Sequence, residues 1–166
     1  MSTIYISLGG DLGDPIEQQE IAIRAIEEHV GLVEHRSSFF KTEAWGVDRK
    51  TPFINSAIQV KTDLDPFQVM EELLGIEKEM GRSRNGEQYG RRSIDLDLLY
   101  YNDLILNSTD LQLPHPRLHL RRFVLDPLNE IAANFKEPLR GRSISQLLEE
   151  CTDKSSVQKL ECATTT

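Results

Sequence analysis

Tyr89-Gly90-Arg91-Arg92-Ser93-Ile94-Asp95-Leu96-Asp97-Leu98-Leu99-Tyr100-Tyr101 joins a glycine-flanked arginine pair to an apolar run that carries two aspartates. From Ile94 onward the run reads as a strand, apolar enough to be buried. Strand alternation sends Asp95 and Asp97 to one face and Ile94, Leu96 and Leu98 to the other. Two residues of about 3.3 Å rise put the carboxylates roughly 6.6 Å apart. Bare carboxylates in a half-buried site repel one another and lose hydration, so a positive charge should sit between them. Oxygen ligands at that spacing suit Mg²⁺, which takes one or two protein carboxylates and fills its shell with water and phosphate oxygens. Arg82, Arg84, Arg91 and Arg92 lie just upstream, a guanidinium cluster suited to polyphosphate. The stretch therefore points to a Mg²⁺–nucleotide site.

The flanking chain supplies a frame for that strand. Thr3 to Leu8 alternates like a strand, and Asp14-Pro15-Ile16-Glu17 is a helix start, with an acid at the N-cap and proline at the first position. Ile16, Ile23, Ile26 and Val30 follow at helical spacing, and Gly31 is a stop signal. Val33 to Phe40 reads as a second strand, Thr42 to Pro52 as a loop, and Phe53 to Lys61 as a third strand. On that third strand Ile54, Ile58 and Val60 mark the apolar face. Phe53 and Asn55 share the other, where an aromatic and an amide could stack on and read a flat heterocycle. Asp65-Pro66-Phe67-Gln68 starts a second helix, with Phe67, Met70, Leu73, Leu74 and Met80 as its apolar stripe. Residues 82–92 are polar and carry Gly86 and Gly90, the signature of a loop.

Strand, helix, strand, strand, helix, strand is the split β-α-β order of a ferredoxin-like α+β domain. It predicts an antiparallel sheet with helices on one face and the other free to build a site. Beyond it, Asn102-Asp103 turns into a short extra strand, Leu104 to Leu106. Prolines 114 and 116 hold His115 in extended backbone. Pro127 is expected to break the next helical stretch, and Ser143 to Cys151 to form one more helix. The polar end from Thr152 to Thr166 reads as frayed. One domain over residues 1–160, with 161–166 as its tail, accounts for the chain.

Composition narrows the function. The 166 residues are 39% hydrophobic and 28% charged, as in an ordinary globular protein. A formal net charge of −8 argues against a general nucleic-acid or anionic-membrane binder, so the arginines form a local patch fitted to a small anionic ligand. Cys151 and Cys162 match no zinc spacing and read as reduced thiols. No apolar run reaches the roughly 18 residues of a membrane span, and no signal-peptide pattern opens the chain, which places the protein in the cytoplasm.

Read together, the motifs resemble the 6-hydroxymethyl-7,8-dihydropterin pyrophosphokinase family of folate biosynthesis. The most specific parts are Gly90-x-Arg92-x-x-Asp95-Leu96-Asp97-Leu98-Leu99 and Leu113-Pro114-His115-Pro116-Arg117-Leu118-His119, continuing to Arg121-x-Phe123-Val124-Leu125-x-Pro127-Leu128. Phe53-Ile54-Asn55-Ser56-Ala57 and the Arg82-x-Arg84 pair are similar too. Gln88, Arg91, Leu120 and Gly10-Asp11 depart from the family's usual residues, and none removes a charge the reaction needs.

The resemblance implies transfer of a diphosphoryl group from ATP to the pterin hydroxymethyl oxygen, with release of AMP. It implies two Mg²⁺ ions held by Asp95 and Asp97, one across the α- and β-phosphates and one across the β- and γ-phosphates. Asp97, or Asp95 through a metal, would accept or relay the hydroxyl proton. Arg82, Arg92, His115 and Arg121 would contact phosphate, Arg84 would help close the site, Leu98 would offer backbone groups to adenine, and Glu77 would lie near the nucleotide. Phe53 and Phe123 would sandwich the pterin, Asn55 with Thr42 and Ala44 would read its edge, and Trp45 and Tyr89 would cover it. The enzyme would work as a monomer, without nucleic acid or membrane. Two other readings compete: a different Asp-x-Asp nucleotide enzyme such as a nucleotidyltransferase, which would release pyrophosphate, and a ferredoxin-like RNA-binding or regulatory module. The strand carboxylates and the acidic net charge weigh against RNA.

Overall fold

A computed structural model describes residues 1–11, 13–42, 52–81 and 94–161. In chain order it contains β1 (Ser2–Gly10), α1 (Pro15–His29), β2 (Gly31–Arg36), β3 (Phe40–Thr42), β4 (Phe53–Thr62), α2 (Pro66–Met80) and β5 (Asp95–Tyr101). These are followed by β6 (Leu106–Asn107), β7 (Gln112–Leu113), a 3₁₀ turn (Leu118–Leu120), α3 (Arg122–Ala132), α4 (Ile144–Glu150) and β8 (Val157–Lys159). The expected loop at 82–92 lies outside the described residues, as does most of the one at 42–52.

The sheet runs β5-β1-β4-β3-β8, with β2 also on β4, and every pairing is antiparallel. This is the ferredoxin-like arrangement. Local signals start the helices. Asp14 Oδ1 accepts the Glu17 N–H at 3.2 Å. Asp65 and Gln68 form a reciprocal capping box at 2.9 Å each way. Gly31 opens β2 where a β-carbon would collide with the Lys61 carbonyl.

Helices α1 and α2 bury Ile23, Ile26, Val69, Leu73 and Ile76 against Ile4, Ile6, Leu8, Ile58, Leu96 and Leu98. Of the expected stripe on α2, Leu73 is buried and Met70 and Met80 pack against the core, but Phe67 and Leu74 are 49% and 52% exposed, and Val69 and Ile76 are buried instead. Both choices fit a 3.6-residue period around Leu73, and only packing against the sheet decides between them.

The sequence pattern predicts a free second face, but this face is partly covered. α3 and α4 cover half of it, burying Val124, Leu125, Leu128 and Ile144 against Tyr5, Ala57, Leu99 and Tyr100. Tyr5, Tyr100 and Phe135 form an aromatic cluster there, with centroids 4.9–6.3 Å apart. Pro127 does not break α3 but sits buried within it. The missing hydrogen bond is outweighed by an apolar face that needs a continuous helix to pack.

Three further expectations are corrected. Val33–Phe40 is two strands, because the Ser37 hydroxyl accepts the Ala57 N–H at 2.8 Å where a ladder carbonyl would. The extra strand is shifted to Leu106–Asn107 and pairs with β7 rather than the main sheet. The segment after Thr152 is not frayed throughout: β8 extends the sheet, with Thr42 opposite Val157 and Phe40 opposite Lys159.

Burial predicts a sharp contrast on α2. Leu73→Ala should cost about 2–5 kcal/mol of unfolding free energy in urea titrations. Phe67→Ala should stay within about 0.5 kcal/mol.

Candidate active site

Register builds the site. Asp95 stands opposite Gly9 on β1, and Gly9 in turn stands opposite Asn55 on β4. Asp97 stands opposite Ser7 in the neighbouring row. All five line one cavity of about 500 Å³ on the half of the second face that α3 leaves uncovered, within the range of small-molecule sites. Thr42 and Phe53 wall it from β3 and β4, and Arg121 and Phe123 from the start of α3.

A bulge in β5 separates this chemistry from the core. Tyr5 pairs with Tyr100 but Ile6 pairs with Leu98, so Leu99 is an extra residue. Without it, alternation would put Tyr100 on the same face as Leu96. With it, Tyr100 packs under α3 while Asp95 and Asp97 keep the cavity side. The displaced Leu99 carbonyl accepts the His115 N–H at 3.0 Å, tying His115 to the aspartate strand.

His115 Nδ1 accepts the Arg117 N–H at 3.2 Å, which leaves the neutral ring's proton on Nε2. Burial pushes its pKa down. Asp97 opposes this, and Arg121 and Arg117 reinforce it. The ring is therefore a neutral donor near neutral pH, close enough to Asp97 and Arg121 to feel both charges. The Arg121 guanidinium lies 5.7 Å from the Phe123 ring centroid, so cation and ring brace each other. Asn55 Nδ2 donates to Thr42 Oγ1 at 3.2 Å, fixing the carboxamide. A β-carbon on Gly9 would stand 2.6 Å from Asn55 Oδ1, so Asn55 occupies its place only because Gly9 has no side chain.

Three expected nucleotide residues, His115, Glu77 and Leu98, lie outside the cavity wall. Buried Glu77 accepts the Leu96 N–H at 3.2 Å, on the outer margin of β5. Leu98 is core, but strand alternation turns its backbone N–H to the same outer margin as that of Leu96. Arg82, Arg84, Arg92, Ala44, Trp45 and Tyr89 lie outside the described residues. Sequence reasoning missed Ser7, Gly9, Asp153 and Ser155, all of which line the cavity. Ser7 and Gly9 alternate on one face of β1, a signal that means something only once the register is known.

The chemistry of the lining fits a hard cation: Asp95 and Asp97 are oxygen donors on one wall. Among the described residues no cluster of three or more His, Cys, Asp or Glu could hold a metal. Two carboxylates completed by ligand oxygens is the arrangement Mg²⁺ commonly takes.

The family model of 7,8-dihydro-6-hydroxymethylpterin-pyrophosphokinase (HPPK) matches residues 5–133. The chain belongs to this family. It is 35% identical over 160 residues to the 2-amino-4-hydroxy-6-hydroxymethyldihydropteridine pyrophosphokinase of Haemophilus influenzae, covering 95% of this chain and 98% of that one. The Bacillus subtilis protein of the same name is 38% identical over 143 residues, 86% of this chain and 85% of its own. The crystal structure of wild-type Plasmodium falciparum HPPK-DHPS shares the fold, with a TM-score of 0.73 at 15% identity over 90% of this chain and 44% of that one.

Within the HPPK fold, the Gly9–Asn55 contact is testable. On the expectation from the sequence that Asn55 reads the pterin edge, Gly9→Ala, which displaces its carboxamide, should raise the KM for the pterin about tenfold, the worth of a lost hydrogen bond. Steady-state kinetics should find the KM for ATP within about twofold of the parent.

Proposed function

We propose that this cavity is where the diphosphoryl group of ATP passes to the hydroxymethyl oxygen of the dihydropterin. As a member of its family the chain is a pyrophosphokinase of folate biosynthesis, with ATP and hydroxymethyldihydropterin as substrates. The observation that carries the assignment to this cavity is the convergence of Asp95 and Asp97 with the ring-and-amide wall of Phe53, Asn55 and Phe123.

In this reading Phe53 and Phe123 hold the flat ring, and the Asn55 carboxamide, fixed by Thr42, reads its donor–acceptor edge. The hydroxymethyl oxygen then faces the Asp95–Asp97 side. Its bond to the β-phosphorus forms as the bond from that phosphorus to the oxygen bridging to the α-phosphate breaks, and AMP departs. Arg121 and the His115 Nε2–H contact phosphate oxygens and stabilise charge that shifts during transfer. Asp97 or Asp95 takes the hydroxyl proton. Asp95 and Asp97 would hold Mg²⁺, which would supply charge neutralisation on the polyphosphate. Glu77 and the Leu98 backbone form the nucleotide side along the outer margin of β5. By the family resemblance, Arg82 and Arg92 would contact phosphate and Arg84 would help close the site, Ala44 would join Thr42 and Asn55 in reading the pterin edge, and Trp45 and Tyr89 would cover the pterin and exclude water. The working unit is a cytoplasmic monomer, one catalytic domain over residues 1–160, that engages neither nucleic acid nor membrane. No helix among the described residues is long and apolar enough to cross a membrane.

Incubation with ATP, Mg²⁺ and 6-hydroxymethyl-7,8-dihydropterin should release AMP stoichiometrically with product. Release of inorganic pyrophosphate instead would favour nucleotidyl transfer. Asp97→Ala should lower kcat by roughly a thousandfold, or about 4 kcal/mol of transition-state stabilisation, with unchanged circular dichroism. Near-parent turnover in that variant would refute the metal assignment.

A further inference from the structure

We propose that Asp153 is a positioning residue for this reaction, fixing the start of α3 and thereby the two cavity side chains, Arg121 and Phe123, that flank the bond it makes. The proposal rests on the reading above, in which those two residues meet phosphate and pterin.

The start of α3 lacks a local cap: Arg121 occupies the N-cap position and makes no side-chain cap hydrogen bond. An uncapped helix start leaves backbone N–H groups without intrahelical partners and frays easily. Here the missing acceptor comes from 31 residues downstream. Asp153 Oδ2 accepts the Arg122 N–H at 3.1 Å. Arg122 lies between Arg121 and Phe123, so one bond pins the backbone that aims both. Loss of that bond would let the first turn swing without unfolding the rest of α3, whose Val124, Leu125 and Leu128 stay buried.

The carboxylate is itself held from the other side. Asp153 Oδ1 accepts the Ser155 N–H at 2.9 Å and also the Ser155 hydroxyl. Two residues on, β8 begins and pairs with β3, so the same segment is anchored to the strand that carries Thr42. Lys159 Nζ meets Glu130 Oε2 on α3 at 3.0 Å, and the Leu160 N–H donates to the Phe39 carbonyl at 2.9 Å. Residues 153–160 thus strap the α3 wall of the cavity to its β3 wall.

A third carboxylate beside Asp95 and Asp97 is an electrostatic burden on a polyanion site, which argues that Asp153 is there for what it holds. Burial pushes its carboxyl up, but the bonds from Ser155 and then from Arg122 bring it below the usual carboxylate range. Its oxygens are committed to protein donors on both sides.

The test compares Asp153→Ala, Asp153→Asn and Ser155→Ala by steady-state kinetics with AMP as readout, alongside urea unfolding. Asp153→Ala, if folded, should lose roughly ten- to a hundredfold in kcat/KM, as expected when a group is misplaced by about an ångström. Asp153→Asn keeps an acceptor oxygen for the Arg122 N–H and should recover most of that loss. Ser155→Ala should lose about two- to fivefold. A purely stabilising role would lower the unfolding midpoint and leave kcat and both KM values of the folded protein unchanged. That result overturns the proposal. Should the alanine variant fail to fold, parent-like kinetics in both of the other variants would overturn it equally. A parent protein that forms no AMP would instead sink the underlying reading. Pterin affinity by equilibrium dialysis then reads the positioning directly, and equal affinity in parent and Asp153→Ala would end it too.

Discussion

Antiparallel pairing of β1 with β5 on one side and β4 on the other is the constraint from which the site follows. A sheet repeats every two residues along a strand and about 4.8 Å across strands, so one register decides which side chains can meet. Here it lays Asp95, Gly9 and Asn55 in one row and sets Asp97 against Ser7 in the next. A slip of one residue would turn the acids into the hydrophobic core. Burial of Ile4, Ile6 and Leu8 under α1 and α2 makes that slip prohibitive, so the core enforces the geometry of the chemistry.

The second face shows how one sheet surface can serve two ends. Tyr5 and Ala57 lie beneath α3, while Ser7, Gly9 and Asn55, at the same strand parity, line open space. The boundary is the first turn of α3, and both of its cavity side chains come from there. The bulge at Leu99 lets β5 obey each half in turn: acids toward the cavity, then Tyr100 toward the aromatic cluster. It also frees the carbonyl that anchors His115. Packing and chemistry meet at single residues here.

Much of this was legible in the chain. Apolar alternation placed Asp95 with Asp97 and Phe53 with Asn55, helix-start signals located α1 and α2, and the element order gave the sheet. The family motifs then connected segments that periodicity could not bring together. What stayed hidden depends on contacts distant in sequence. The α2 stripe was ambiguous because Phe67 and Leu74 fit a helical period with Leu73 as well as Val69 and Ile76 do. Pro127 looked like a breaker because local rules omit the packing of Val124, Leu125 and Leu128. Asp153 and Ser155 sit in polar, low-hydropathy sequence, and nothing nearby announces a strand partner as distant as Thr42.

The margins of the sheet carry a last consequence. On β5 the outward Leu96 amide is taken by Glu77 and the Leu99 carbonyl by His115. β2 presents Glu34, His35 and Arg36, and β8 is only three residues long. Open strand edges are templates on which other chains add and fibrils grow, and proteins blunt them by covering, charging or shortening them. All three devices occur here, so the antiparallel scaffold that arrays the carboxylates offers little purchase for runaway aggregation.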